Sequence, residues 1–386
     1  MDPGNWSTDI AGGSKFGYSL LFIITLSSLM AMFLQTLSAK CGLATRRDLP
    51  QVCRDSYPDW LRIPLWIIAE IAIMATDLAE VIGSAVALKL LFGLPIIAGV
   101  LITAADVLIL LAVGHKMRVI EAIVGTLVLL ITVCFAVQVG VSNPLAIPLL
   151  SGFIPTDRLF KDSSMLYIAV GIIGATVMPH NLYLHSSIVL TRHTARDEAS
   201  ITQAIKYCTI DTTLSLCIAW FVNASILIVA ATVFHTNGYS EVATLEDAYK
   251  LLDPLLGSAV SSKLFGIALL ASGQSSTLTG TLTGQIVMEG FMTWKVSPLL
   301  RRFVTRIIAI VPAIIATTTG GEHAINDLLI LSQILLCFAL PFAVFPLCHI
   351  TSSTPRMGKF VNNLRETILA YSIGFLIVTM NIFIFL

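Results

Sequence analysis

Long apolar runs, parted by short polar ones, set the pattern of this chain. Ten of them cover 17–38, 63–88, 94–113, 119–139, 165–191, 208–234, 260–290, 303–319, 324–350 and 366–386. Each is close to or beyond the roughly 20 mainly apolar residues that carry a helix across a bilayer. A shorter run at 2–12 precedes them. Membrane strands alternate apolar and polar positions, and runs such as Leu127-Val128-Leu129-Leu130-Ile131 do not. The pattern therefore predicts eleven helical membrane segments. Between the seventh and eighth, Val242, Leu245, Leu252 and Leu255 recur at helical spacing beside Glu246, Asp247 and Lys250. That predicts a short amphipathic helix on the membrane interface.

Composition agrees with this reading. Of 386 residues, 56% are hydrophobic and 12% charged, against about 45–50% and 25% in soluble domains. Mean hydropathy is +0.87. A soluble enzyme, a disordered chain and a collagen-like fibre are excluded. Lys and Arg total 23, as do Asp and Glu, so no basic surface is left for nucleic acid. Seven cysteines lie scattered without Cys-x-x-Cys spacing, which argues against a disulfide framework or a zinc cluster. Residues 1–14 have no basic stretch ahead of an apolar core and do not resemble a cleavable signal peptide. With sides alternating, roughly three-quarters of the Lys and Arg fall in the loops after segments two, four, six, eight and ten. The positive-inside bias puts those loops and the N-terminus in the cytoplasm, puts Leu386 outside, and suits a plasma-membrane protein.

Two prolines interrupt apolar segments in matching contexts, Asp2-Pro3-Gly4-Asn5 and Met178-Pro179-His180-Asn181. Proline inside a spanning helix frees a backbone carbonyl and breaks the helix. An ordinary kink would explain either one alone. The two tetrapeptides lie five segments apart, and five is odd, so they enter the membrane with opposite polarity. That is the layout of a five-plus-five inverted repeat whose first and sixth helices are discontinuous, with a substrate site between them at midplane. The expected division is a first repeat over 1–139, an external connection over 140–164, a second repeat over 165–350, and a cytoplasmic loop with an eleventh helix over 351–386. A single chain of this kind is expected to act as a monomer.

The candidate ligands at the two breaks are chemically mixed. Asp2 offers a carboxylate, Asn5 an amide oxygen, Ala175 a carbonyl and Met178 a thioether. Oxygen ligands alone would suit calcium or magnesium, whereas a soft sulfur tilts preference toward manganese, iron and later transition metals. Most of the 11 methionines must simply fill space. Met178 differs because it directly precedes the helix-breaking proline.

These two motifs, with the run Gly273-Gln274-Ser275-Ser276-Thr277-Leu278-Thr279-Gly280-Thr281, resemble the Nramp family of proton-coupled divalent metal transporters. The likeness covers nearly the whole chain. It implies an all-α, LeuT-like membrane fold, no enzymatic activity and no prosthetic group. The cargo implied is manganese and ferrous iron, often cadmium and cobalt too, with protons. Its metal ligands correspond to Asp2, Asn5, the Ala175 carbonyl and Met178, and Gln333 matches a residue that joins the metal in some states. Relatives that carry magnesium lack the methionine. Family members also have a half-helix ahead of the Asp-Pro-Gly-Asn motif, which would supply a further carbonyl.

A charge at the bilayer centre costs about 2.5–3.5 kcal/mol on insertion scales, so acids inside a span are functional candidates. Glu70, Asp77 and Glu80 share one face of segment three, the latter two within about 80° of Glu70. His180 and His185 lie on segment six, and histidine is the side chain that titrates nearest neutrality. By resemblance, Asp2, Asp77, Glu80, His180, Arg301 and Arg302 form the proton route. Glu70 and His185 are weaker members: a solvated mouth position suits Glu70 equally, and a helix-to-helix hydrogen bond suits His185. The positive-inside bias by itself explains Arg301 and Arg302 as interfacial anchors. The small residues of segment eight, with Gly280 and Gly284 spaced for close contact, point to helix packing. Asp211, Asn223 and Asn326 are possible cavity residues that the sequence leaves undecided.

The competing readings are weaker. A sodium- or proton-coupled amino-acid transporter of the same fold would want a helix N-terminus facing the substrate carboxylate, and Asp2 already occupies that region. A membrane zinc protease would need His-Glu-x-x-His, which the chain lacks. A channel usually repeats one filter in several subunits.

Overall fold

The computed structural model describes residues 2–103, 117–192, 195–239, 242, 244–256, 260–294 and 296–385. The elements are α-helices joined by short turns: α1 (Pro3–Phe16), α2 (Leu21–Thr45), α3 (Leu49–Ser56), α4 (Asp59–Phe92), α5 (Ile96–Thr103), α6 (Met117–Ser142), α7 (Ala146–Ser151), α8 (Ser163–Val177), α9 (Pro179–Ile188), α10 (Glu198–Val233), α11 (Leu245–Leu256), α12 (Ser261–Met292), α13 (Pro298–Thr319), α14 (Gly321–Thr351), α15 (Thr354–Met357) and α16 (Leu364–Phe383). Among the described residues, seven stretches are long and apolar enough to cross a membrane by length and composition. The expected fourth segment is described only over Ile96–Thr103; the rest of it, 104–113, lies outside the described residues. At 32 residues α12 is long enough to span, but its Ser, Thr and Gly positions lower its hydropathy.

Local sequence explains the ends. Asp2, Asp48 and Asn363 cap α1, α3 and α16 by accepting from the backbone N–H three residues on, and in α1 and α16 a reciprocal side chain closes the capping box. Gly93 ends α4 in the left-handed conformation. The chain reverses after α1. Gly13 lies against Leu227 and Ala230, and the Ser14 carbonyl accepts from His235, so α1 runs alongside α10 in the same direction. Tyr18 then meets Thr232 at 2.7 Å and Thr25 meets Trp220 at 3.0 Å, so α2 runs back along it.

Two large apolar clusters build the interior. One gathers α2, α8, α14 and the first half of α4. The other gathers α6, α10, α11, α12 and the second half of α4. Helix α1 contributes Ala11 to the first and Trp6 and Ile10 to the second, so its N-terminus stands at the seam between them. Leu129, Ile147, Phe303, Phe375 and Phe385 are exposed, as residues facing lipid should be. The predicted amphipathic helix exists as α11. It buries Leu245, Ala248 and Leu252 in the second cluster, so protein rather than lipid covers its apolar face.

Candidate metal site and its flanking ion pairs

The break between α8 and α9 follows from one proline. A helical carbonyl at position 175 bonds the N–H at position 179, and Pro179 has none. The Ala175 carbonyl is therefore left without its intrahelical partner. Met178 takes φ 49° and ψ 106°, an uncommon conformation for a residue with a side chain. Its N–H still bonds the Gly174 carbonyl at 3.2 Å, and its own carbonyl accepts from Asn181 N–H at 3.1 Å. The thioether is buried and receives Asn181 Nδ2 at 3.2 Å.

At the start of α1, Asp2 and Asn5 hold each other through the capping box. Asn5 N–H donates to Asp2 Oδ1 at 3.0 Å and Asp2 N–H to Asn5 Oδ1 at 3.2 Å. Both residues are buried. This arrangement engages one carboxylate oxygen and leaves Asp2 Oδ2 buried with no hydrogen-bond partner. Gln333, in the middle of α14, shows the same asymmetry: Nε2 donates to Ser332 Oγ at 2.9 Å, while Oε1 is buried and unpartnered.

Glycine brings the three helices together. The Gln333 side chain lies directly over Gly4, and the Gln333 carbonyl lies against Gly174; any Cβ at either glycine would overlap it. Thus α14 touches the first turn of α1 and the last turn of α8 through one residue. The site offers one carboxylate, neutral amide and carbonyl oxygens, and one sulfur. Among the described residues no group of three or more His, Cys, Asp and Glu could hold a metal. A permanent structural or catalytic metal commonly has such a cage. A single charge with neutral donors suits an ion that must also leave.

A second polar system flanks the first. Glu70, Asp77 and Glu80 face α12 and α13 from α4. Arg301 Nη2 donates to Glu70 Oε2 at 2.6 Å, and Trp66 Nε1 donates to Glu70 Oε1 at 3.2 Å. Glu80 is fully buried; Ser276 Oγ donates to its Oε1 at 3.0 Å, and Arg306 Nη2 lies 3.9 Å from its Oε2. Arg306 also donates to Thr277 Oγ1 at 3.1 Å. His180, on α9, meets Thr76 Oγ1 at 3.3 Å and so connects the broken helix to α4. His185 meets Thr212 Oγ1 at 3.0 Å, a contact between α9 and α10 away from this system.

Three expectations change. Arg301 is not a solvated anchor: it is buried against Glu70, and Glu70 is correspondingly not a solvated mouth residue. The small residues of α12 do more than admit a neighbouring backbone. Gly284 leaves room for the Arg301 guanidinium, and a Cβ on Gly280 would stand 2.8 Å from Glu80 Oε1. Asp211 is exposed and pairs with Arg192 at 3.2 Å. The side chain of Arg302 lies outside the described residues. Asn223 and Asn326 are buried, each with an unpartnered Oδ1.

Residues 1–386 match the family profile described as natural resistance-associated macrophage protein-like, or Nramp. The chain belongs to the Nramp family. It is 53% identical over 385 residues to the divalent metal cation transporter MntH of Listeria innocua, covering 100% of this chain and 86% of that protein. The crystal structure of the Eremococcus coleocola manganese transporter, in complex with an aromatic bis-isothiourea compound, superposes with a TM-score of 0.90 at 39% identity. That match covers 99% of this chain and 82% of the other. MhsT, crystallised with L-phenylalanine, superposes with a TM-score of 0.60 at 14% identity over 99% of this chain and 97% of its own, which is a likeness of fold alone. The Nramp chain is thus an all-α membrane protein of LeuT-like architecture, and its relatives are transporters rather than enzymes.

Sequence reading missed two buried charged residues of this Nramp chain. Arg306 lies more than one turn beyond Arg302 along the same apolar helix. That depth was the available signal. Asp9, one turn beyond Asn5, is buried with an unpartnered Oδ2. Its position inside an apolar stretch could have marked it.

Proposed function

We propose that this chain is a secondary transporter of the plasma membrane that imports divalent transition-metal ions with protons by alternating access. Manganese and ferrous iron are the expected cargo, with cadmium and cobalt also accepted. In this reading Asp2, Asn5, the Ala175 carbonyl, Met178 and Gln333 hold the ion. The two inverted repeats, 1–139 and 165–350, move about it in a monomer whose loops rich in Lys and Arg face the cytoplasm. The observation that carries the reading is the pair of buried, unpartnered oxygens, Asp2 Oδ2 and Gln333 Oε1, on helices that meet at Gly4. A buried polar atom without a partner costs about 1–3 kcal/mol, and a bound cation removes that cost.

Glu80, Asp77, His180, Glu70 and Arg301, with Arg306 added, are the proposed proton relay, and Arg302 and His185 are its outer members. A dication arriving at Asp2 favours the ionised carboxylate and releases its proton, which needs an acceptor on the α4 face. An amino-acid substrate is disfavoured because the Asp2 carboxylate stands where the substrate's own carboxylate would dock. The test is manganese uptake into proteoliposomes carrying a pH-sensitive dye. Uptake should acidify the lumen, and Glu80→Gln or His180→Gln should reduce the protons moved per metal. Manganese uptake with no proton flux in the unsubstituted protein would reject the coupling. No manganese, iron or cadmium uptake at all would reject the function.

A further inference from the structure

Gln333, Cys337 and Pro341 follow one another at four-residue spacing along α14. A helical carbonyl at position 337 would accept the N–H at position 341, and Pro341 has none. Cys337 is fully buried, so water cannot make up the loss and a neighbouring helix must. That helix is α16: Asn381 Nδ2 donates to the Cys337 carbonyl at 3.0 Å. Asn381 lies on the side of α16 that buries Ile373, Ile377 and Met380 in the first apolar cluster. Its Oδ1 is buried without a partner. A half-used amide is costly on such a face, so its donor accounts for its presence.

The pairing is held in register. Phe338 meets Phe385 and Phe345 meets Phe375, each with ring centroids 5.5 Å apart, so α16 runs antiparallel along α14 and packs closely on it. The same turn of α14 reaches the metal site. A Cβ on Gly174 would stand 2.8 Å from the Cys337 backbone nitrogen and 3.0 Å from its Cβ, and the Gln333 carbonyl lies against the same glycine. Gly174 in turn accepts the Met178 N–H at 3.2 Å. One turn of α14 thus carries Gln333 over Gly4 on one side and is tied to α16 on the other.

We infer that Asn381 is a positioning residue for the metal site: it completes the carbonyl that Pro341 frees and so holds the turn of α14 that places Gln333 over Gly4. Proline lets a helix bend, and the partner given to the freed carbonyl sets that bend. Without the amide donor the Cys337 carbonyl turns to find another, and Gln333, one turn away, turns with it. The eleventh helix then governs metal affinity without touching the ion. The inference rests on the reading of Gln333 as a ligand.

The test is manganese binding by calorimetry to the full chain in detergent, with melting measured alongside. Asn381→Leu should weaken binding roughly tenfold, the lower end of what the outer partners of metal ligands contribute. In Gln333→Leu the same substitution should add no further loss, because the ligand it positions is gone. In Pro341→Ala, which returns an N–H to the Cys337 carbonyl, it should change binding by less than about twofold. A purely structural role would weaken binding alike in all three backgrounds. An equal loss in Gln333→Leu, or an undiminished loss in Pro341→Ala, would therefore overturn the inference. Unchanged binding in Asn381→Leu, with Gln333→Leu weakened, would overturn it and leave the ligand reading standing. Unchanged binding in Gln333→Leu itself would remove both. If Asn381→Leu does not fold, the pair Asn381→Leu with Pro341→Ala should fold and bind as Pro341→Ala does, and failure of that pair would also overturn the inference.

Discussion

The crossing of α1, α8 and α14 and the face of α4 opposite α12 and α13 are both buried and both polar, but their accounts close differently. At the crossing, Asp2 Oδ2 and Gln333 Oε1 have no partner, and the Ala175 carbonyl has lost its own to Pro179. On α4, Glu70 and Glu80 are met by arginine, hydroxyl and indole donors. Unpaired buried oxygens destabilise a fold, so they persist where something outside the chain completes them. On α4 the carboxylates find donors within the chain itself, and the nitrogens there without an acceptor belong to guanidinium groups, such as Arg301 Nε. In the proposed reading the first region receives the ion and the second holds charge in place near it.

The difference can be broken most strongly at Asp2. Asp2→Ala removes the only formal negative charge among the proposed ligands, and manganese binding measured by calorimetry should be lost; full retention would place the ion elsewhere. On the other face, Arg306→Gln removes a buried guanidinium from beside Glu80. Breaking a buried pair this way costs about 3–5 kcal/mol, so the protein should melt well below the unsubstituted chain. Gln333→Leu should do the opposite of Arg306→Gln: it removes an unpartnered oxygen, so the metal-free protein should melt no lower, while manganese binds more weakly. A large loss of metal-free stability would mean that Gln333 has a structural partner.

Met178→Ala sharpens the comparison rather than breaking it. Loss of the thioether should narrow the preference for cadmium and manganese over calcium by about tenfold, or roughly 1.4 kcal/mol. Unchanged selectivity would remove sulfur from the argument. The smallest effect is expected at Asp48, in the turn between α2 and α3. Burial pushes its carboxyl up to about 6, against the Gln51 N–H and Arg54, with Glu289 adding to the rise. Between its ordinary 3.8 and about 6, the folded chain holds a proton that the unfolded chain has released. Stability from this group therefore falls as pH rises across that window. Asp48→Asn should flatten that part of the melting profile.

Much of the first region was legible before any coordinates. Asp2, Asn5 and Met178 declare themselves because they sit in two matching proline tetrapeptides; proline alone is a weaker signal, since Pro64, Pro312, Pro341 and Pro346 lie inside continuous helices. Glu80 and Asp77 declare themselves by their depth in an apolar run. Gln333 was different: a lone amide in an apolar helix carries no local signal, and only the family resemblance pointed to it. Arg301 and Arg306 are ambiguous in the sequence because a cation near a helix end has two explanations, interfacial anchor or buried partner. Charge counting along the chain favours the first.

What the sequence determined by itself is the set of local consequences. These are the apolar lengths that make spans, the prolines at 3 and 179 that interrupt them, the side chains that cap α1, α3 and α16, and the mixed hard and soft donors at the breaks. What only the tertiary structure decided is which distant residues share a space. Gln333 lies over Gly4, Arg301 fits beside Gly284 to reach Glu70, and Arg306 lies against Glu80. The physical reason is that helix breaks and spans follow from bonds within a few residues. Whether a buried charge or carbonyl is satisfied depends on the helix packed against it, and that neighbour can lie more than 200 residues away in the chain.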